Sequence, residues 1–167
     1  MNESVLMVID VQKDVVANGF ETERVVMNIN SLISQARATD TPVIWVQHSD
    51  EFLVKGTDGW NFVDELTPME VEYRIHKTNP SSFEGTELLE LLTNLGAKNL
   101  IITGAQSDFC INATSNEGVQ LGFNVTLVAD AHTTEDTPNL TAQEIIFEKN
   151  QSFASLGRVV QTSEVSF

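Results

Sequence analysis

The chain has 167 residues, 41% of them apolar and 20% charged, which suits one domain spanning residues 1–167 and excludes a disordered polyelectrolyte. Nine Lys and Arg against 24 Asp and Glu give a net charge of −15, a surface that repels nucleic-acid phosphates and anionic lipid heads. A single cysteine, Cys110, excludes an internal disulfide and a Cys-cluster metal site, and three histidines are too few for a His-rich centre.

The apolar run at residues 5–9 ends at Asp10 and predicts a buried strand. It is too short to span a bilayer, and no basic stretch precedes it as in a secretory signal. A cytoplasmic protein with no membrane partner is expected. Residues 21–38 place Val25, Val26, Ile29, Leu32, Ile33 and Ala36 at helical spacing. Thr41-Pro42 punctuates, and residues 43–46 read as a second strand. Residues 48–69 show no clean period, carry Gly56, Gly59 and Pro68, and read as a long loop or short helical pieces. Residues 71–77 alternate Val71, Tyr73 and Ile75 with Glu72, Arg74 and His76, a strand with one less buried face. A helix at 86–95 turns Leu88, Leu89, Leu91, Leu92 and Leu95 inward and closes at Gly96. A strand at 100–103, a helix at 110–121, a strand at 125–129, a helix at 140–147 and a last strand at 158–161 complete the chain. This alternation predicts an α/β domain with a mostly parallel sheet and helices on both faces.

In such sheets the ligand site lies at the carboxyl ends of the strands. That rule selects Asp10 after the first strand, Lys77 after the third and Cys110 after the fourth. A lone thiol is mostly protonated at neutral pH; a nearby Lys and a helix N-terminus both favour its thiolate. An aspartate can hold the lysine or accept the thiol proton. Each residue has an ordinary alternative: a small core cysteine, a turn or cap aspartate, a solvated lysine. Only their joint placement in one frame argues for chemistry.

The stretches Leu6-Met-Val-Ile-Asp-Val-Gln-Lys13, His76-Lys-Thr-Asn-Pro-Ser-Ser-Phe-Glu-Gly-Thr86 and Leu100-Ile-Ile-Thr-Gly-Ala-Gln-Ser-Asp-Phe-Cys-Ile-Asn-Ala-Thr114, with Gly122-Phe-Asn-Val-Thr-Leu-Val-Ala-Asp-Ala-His132 after them, carry a resemblance. Together they resemble the isochorismatase-like cysteine hydrolases, which include nicotinamidases and N-carbamoylsarcosine amidohydrolases. The resemblance implies a three-layer doubly wound sandwich with six strands in the order 3-2-1-4-5-6. It implies a catalytic Asp10, Lys77 and Cys110, and a cis peptide between Ala105 and Gln106. The backbone N–H groups of Gln106 and Cys110 would then form an oxyanion hole. Nicotinamidases hold a zinc-type metal with an Asp and two His after the second strand. Here residues 47–60 offer His48 and Asp50 but no second His before His76, so no metal and no cofactor are expected. Isochorismatases proper lack the cysteine, so Cys110 argues for acyl chemistry. The family commonly forms dimers or tetramers, so a homo-oligomer is expected.

The expected reaction is hydrolysis of a small amide or related C–N carbonyl substrate. Asp10 takes the thiol proton beside Lys77, Cys110 attacks the carbonyl, and water cleaves the resulting thioester. Trp60, Phe83 and Phe109 are candidate apolar pocket walls, with Gln12, His48 and Gln106 as polar contacts. Ordinary packing or a subunit contact is the alternative for Trp60 and Phe83. His132 reads as stabilising a turn. A flavodoxin-like binding module would need a Gly-rich loop after the first strand, where Val11-Gln-Lys-Asp-Val15 stands instead. A catalytically quiet relative acting as a binding or interaction protein stays open as the alternative.

Overall fold

Strand β1, Ser4–Ile9, sits in the middle of the sheet and is buried on both sides. Leu6 and Val8 point to one face; Val5, Met7 and Ile9 point to the other. The computed structural model describes residues 3–167. The other strands are β2 (Val43–His48), β3 (Tyr73–Lys77), β4 (Asn99–Ala105), β5 (Asn124–Thr133) and β6 (Arg158–Val160). They form one sheet in the order β3-β2-β1-β4-β5-β6. Every pairing is parallel.

Helix α2, Thr22–Ala38, covers the first face with Val25, Val26, Ile29, Leu32, Ile33 and Ala36, all buried. The second face packs on Leu88 and Leu92 of α3 (Leu88–Asn94) and Ile111 of α4 (Cys110–Gln120). Phe153, the last residue of α5 (Ala142–Phe153), joins the same cluster. Glu72 ties the long β2–β3 connection to the body: it accepts from Arg37 Nε (2.7 Å), Trp45 Nε1 (2.8 Å) and the Met69 N–H (2.8 Å). No helix among the described residues is long and apolar enough to cross a membrane.

Element boundaries differ from the sequence reading where packing overrides local pattern. The short helix α1, Lys13–Val16, carries no periodic signal of its own. Helix α5 runs on to Phe153, because Phe153 is buried across the polar turn 148–152 that hides it in the sequence. Strand β3 lies at the sheet edge, so Val71 and Tyr73 are exposed and only Ile75 and Lys77 face inward. Of the five leucines assigned to the inner side of α3, Leu88 and Leu92 are fully buried and Leu89 is exposed.

The chain winds outward from β1 through β2 to β3, then returns to lay β4 on the other side of β1. The crevice between the carboxyl ends of β1 and β4 is the topological switch point, where such sheets bind ligands.

Candidate active site

Asp10 leaves β1 in the left-handed region, at φ 51°, a conformation Asp tolerates better than most residues. Its N–H is held by the Val46 carbonyl at 2.9 Å. Lys77 ends β3 opposite His48 of β2. Cys110 is the first residue of α4, where the helix N-terminus presents its positive end. The three elements converge on one ammonium. Lys77 Nζ, fully buried, divides its three N–H bonds among four acceptors within reach: Asp10 Oδ2 (2.8 Å), His48 Nδ1 (3.1 Å), the Asn79 carbonyl (3.1 Å) and Cys110 Sγ (3.2 Å).

The donor pattern fixes the histidine tautomer. Lysine can only donate, so Nδ1 of His48 accepts and its proton sits on Nε2, which faces Asp50 Oδ2 at 3.1 Å. The Asp10 carboxylate, a His48 ring nitrogen and Cys110 Sγ lie within 4.8 Å of one another and could hold a metal ion. The Lys77 ammonium already contacts all three of these residues, so a divalent cation there meets a buried positive charge and does not fit.

Burial raises the Asp10 carboxyl above its ordinary value, with Lys77 pulling the other way. Burial also pushes the Cys110 thiol up to about 12; the Asp10 charge adds to this and Lys77 opposes it. The sequence reading expected lysine and helix to favour the thiolate. In the folded chain desolvation outweighs them, so the resting sulfur carries its proton. Asp10 Oδ1 is buried and has no hydrogen-bond partner among the described residues.

The peptide bond between Ala105 and Gln106 is cis. Among the described residues no backbone acceptor takes the N–H of Gln106 or of Cys110. The loop between them is anchored from behind. Ser107 N–H donates to the Thr133 carbonyl at 3.0 Å, and Ser107 Oγ lies 2.7 Å from His132 Nδ1. His132 Nε2 in turn lies 2.8 Å from Asn150 Oδ1, whose own amide nitrogen donates to the Ala129 carbonyl. Asn150 Oδ1 therefore accepts, which places the histidine proton on Nε2 and makes Ser107 the donor to Nδ1.

A cavity of about 470 Å³ opens over the thiol, lined by Asp10, His48, Gln106, Phe109 and Cys110 together with Asp14, Val15, Asp50, Phe52, Leu53 and Pro80. Three residues predicted for its wall lie elsewhere. Gln12 is wholly buried beneath it: Nε2 donates to the His48 and Trp60 carbonyls and Oε1 accepts from the His48 N–H, so its polar atoms are spent on backbone. Trp60 stacks on His76 with ring centroids 5.8 Å apart. Phe83 packs in the core against Phe123 because its ring fills the space beside Gly118. Asp14 and Phe52 were missed; the available signal for Phe52, which is 87% exposed, was an aromatic directly after the acidic pair Asp50-Glu51.

The family model described as the isochorismatase domain matches residues 4–160. A secreted isochorismatase effector of Verticillium dahliae is 30% identical over 151 residues, covering 86% of this chain and 80% of the relative. A streptothricin hydrolase of Streptomyces noursei is 34% identical over 140 residues, covering 80% of this chain; the match spans only 55% of that enzyme's length. The crystal structure of an isochorismatase family protein superposes with a TM-score of 0.93 at 28% identity, covering 96% of this chain and 99% of the other.

Proposed function

The chain belongs to the isochorismatase family of hydrolases, and from that premise we propose that Cys110 opens a C–N bond of a small amide-like substrate through a thioester. The observation that carries this reading is the single buried Lys77 ammonium held by both Asp10 (2.8 Å) and Cys110 Sγ (3.2 Å), two residues that line an open cavity.

The thiol binds its proton tightly, so free thiolate is scarce at neutral pH and attack must coincide with transfer of that proton to Asp10. The raised affinity of Asp10 for a proton suits it to accept one. Lys77 holds the pair in register and stabilises the negative charge whichever atom carries it. Sulfur adds to the carbonyl carbon, and the carbonyl oxygen takes the electron pair beneath the Gln106 and Cys110 N–H groups. The C–N bond then breaks as Asp10 returns its proton to the departing nitrogen. A water, deprotonated by Asp10, attacks the thioester; the acid leaves and the thiol regains its proton. The sum is amide plus water to acid plus amine. Catalysis by a homo-oligomer in the cytoplasm is part of the same reading, and a light-scattering mass above 18.4 kDa supports the assembly.

Small primary amides and ureido compounds, screened by ammonia release, test the reaction. With any substrate found, Cys110→Ala abolishes turnover, and single-turnover mass spectrometry of the wild type traps an acyl group on Cys110. Undiminished turnover in Cys110→Ala would sink the scheme.

A further inference from the structure

Resting on the reading of this cavity as the substrate site, we propose that the substrate carries an ammonium or guanidinium group beside its scissile amide, and that carboxylate-bearing amides are turned away. The charged carboxylates on the cavity wall are Asp10, Asp14 and Asp50; no Lys or Arg lines it among the described residues. Asp10 is compensated by Lys77, and the Lys77 ammonium is buried and shared among four acceptors, which leaves it no free bond for a substrate carboxylate. Lys13, beside Asp14 in the chain, turns away to Asp58 (2.9 Å) and Asp64 (3.0 Å).

Asp14 and Asp50 have no Lys or Arg partner among the described residues; Asp50 Oδ2 faces His48 Nε2 at 3.1 Å. Asp50 is held ionised by the Leu53 and Phe52 backbone N–H groups. The Asp14 carboxylate has no hydrogen bond or ion pair among the described residues. The Asp14 backbone N–H donates to the Gly59 carbonyl at 3.0 Å, and the exposed carboxylate lies against Gly59, its Oδ2 1.9 Å from where a Cβ on residue 59 would stand. Only a glycine at 59 leaves that space to the carboxylate. Phe52 and Phe109, both exposed, add ring faces that attract a cation. Asp10 Oδ1, buried and without a hydrogen-bond partner among the described residues, adds an acceptor for a ligand N–H. Outside the Gln106 and Cys110 N–H pair, a carboxylate in this cavity meets like charge with no Lys or Arg on the wall to offset it, whereas a cation meets two carboxylates and two rings.

Cys110 is the lone cysteine, so charged thiol reagents report on this cavity alone. The test compares modification rates by a trimethylammonium-ethyl, a neutral methyl and a sulfonate-ethyl methanethiosulfonate, each divided by its rate with free cysteine. In each reaction sulfur displaces methanesulfinate, so thiol ionisation cancels from the ratios. We expect the cation to exceed the anion by about tenfold or more at low ionic strength, with the ratio shrinking in high salt. Asp14→Asn and Gly59→Ala each lower the cation-to-anion ratio about threefold when every rate is divided by the same variant's neutral-reagent rate. A ratio at or below unity overturns the inference and leaves the nucleophile reading standing. A thiol inert to all three reagents overturns both.

Discussion

At the scale of single residues, the decisive contest is between burial and neighbouring charge. The strand-end rule alone selected Asp10, Lys77 and Cys110, and the fold brings them around one ammonium. Their protonation was not legible, because it depends on how deeply the fold buries them. Burial raises Asp10 from 3.8, and the proposed mechanism needs Asp10 ionised to accept the thiol proton. The acid limb of kcat/KM therefore lies above the ordinary carboxylate value, activity being lost as pH falls through the raised pKa. Asp10→Asn lowers kcat/KM by about 10²- to 10⁴-fold and removes that limb. A wild-type limb at or below 3.8 would contradict the assignment of Asp10 as base. Gln12, Trp60 and Phe83 show the converse limit: residue type suggested a pocket, but the backbone groups and rings that claim them come from distant segments.

At the scale of elements, β1 and β4 approach closely because residue 104 lacks a side chain. Gly104 sits opposite Ile9 at φ 123°, and a Cβ there would lie 1.9 Å from the Ile9 carbonyl oxygen. Backbone cannot step aside as a side chain can. Gly104→Ala should cost about 3 kcal/mol or more in urea unfolding, at the edge of the crevice that holds the site. An effect within about 0.5 kcal/mol would mean the two strands have slack.

The tie from α5 through His132 of β5 to Ser107 gives a second prediction. Burial lowers the His132 pKa, so between the lowered value and 6.5 the unfolded chain binds a proton that the folded chain does not. Stability therefore rises with pH through that window and is flat above it. His132→Phe strands the Ser107 hydroxyl and the Asn150 carbonyl oxygen, costing about 2–4 kcal/mol, and flattens that rise. Unfolding free energies of both proteins at two pH values decide it; an equal slope in the variant assigns the dependence to another group.

At the scale of the whole molecule, 24 acidic residues against nine basic ones make self-repulsion a term in stability. Salt screens that repulsion, while the buried Asp10–Lys77 pair lies out of its reach. Calorimetry should show Tm rising by roughly 2–4 °C between low and physiological ionic strength. A falling Tm would mean that surface ion pairs such as Lys98–Glu3 outweigh the net charge.

The sequence by itself determined the alternating elements, the parallel sheet and the strand-end residues, because periodicity and turn chemistry are local properties. Tertiary structure alone decided three other matters. One was the site's protonation, which depends on dielectric surroundings. Another was the cavity wall, where Phe52 and Asp14 replaced Trp60 and Phe83. The last was the reach of β5 and α5 past their apolar runs, to Thr133 and Phe153. These rest on contacts between segments far apart in the chain, and no window of neighbouring residues contains them.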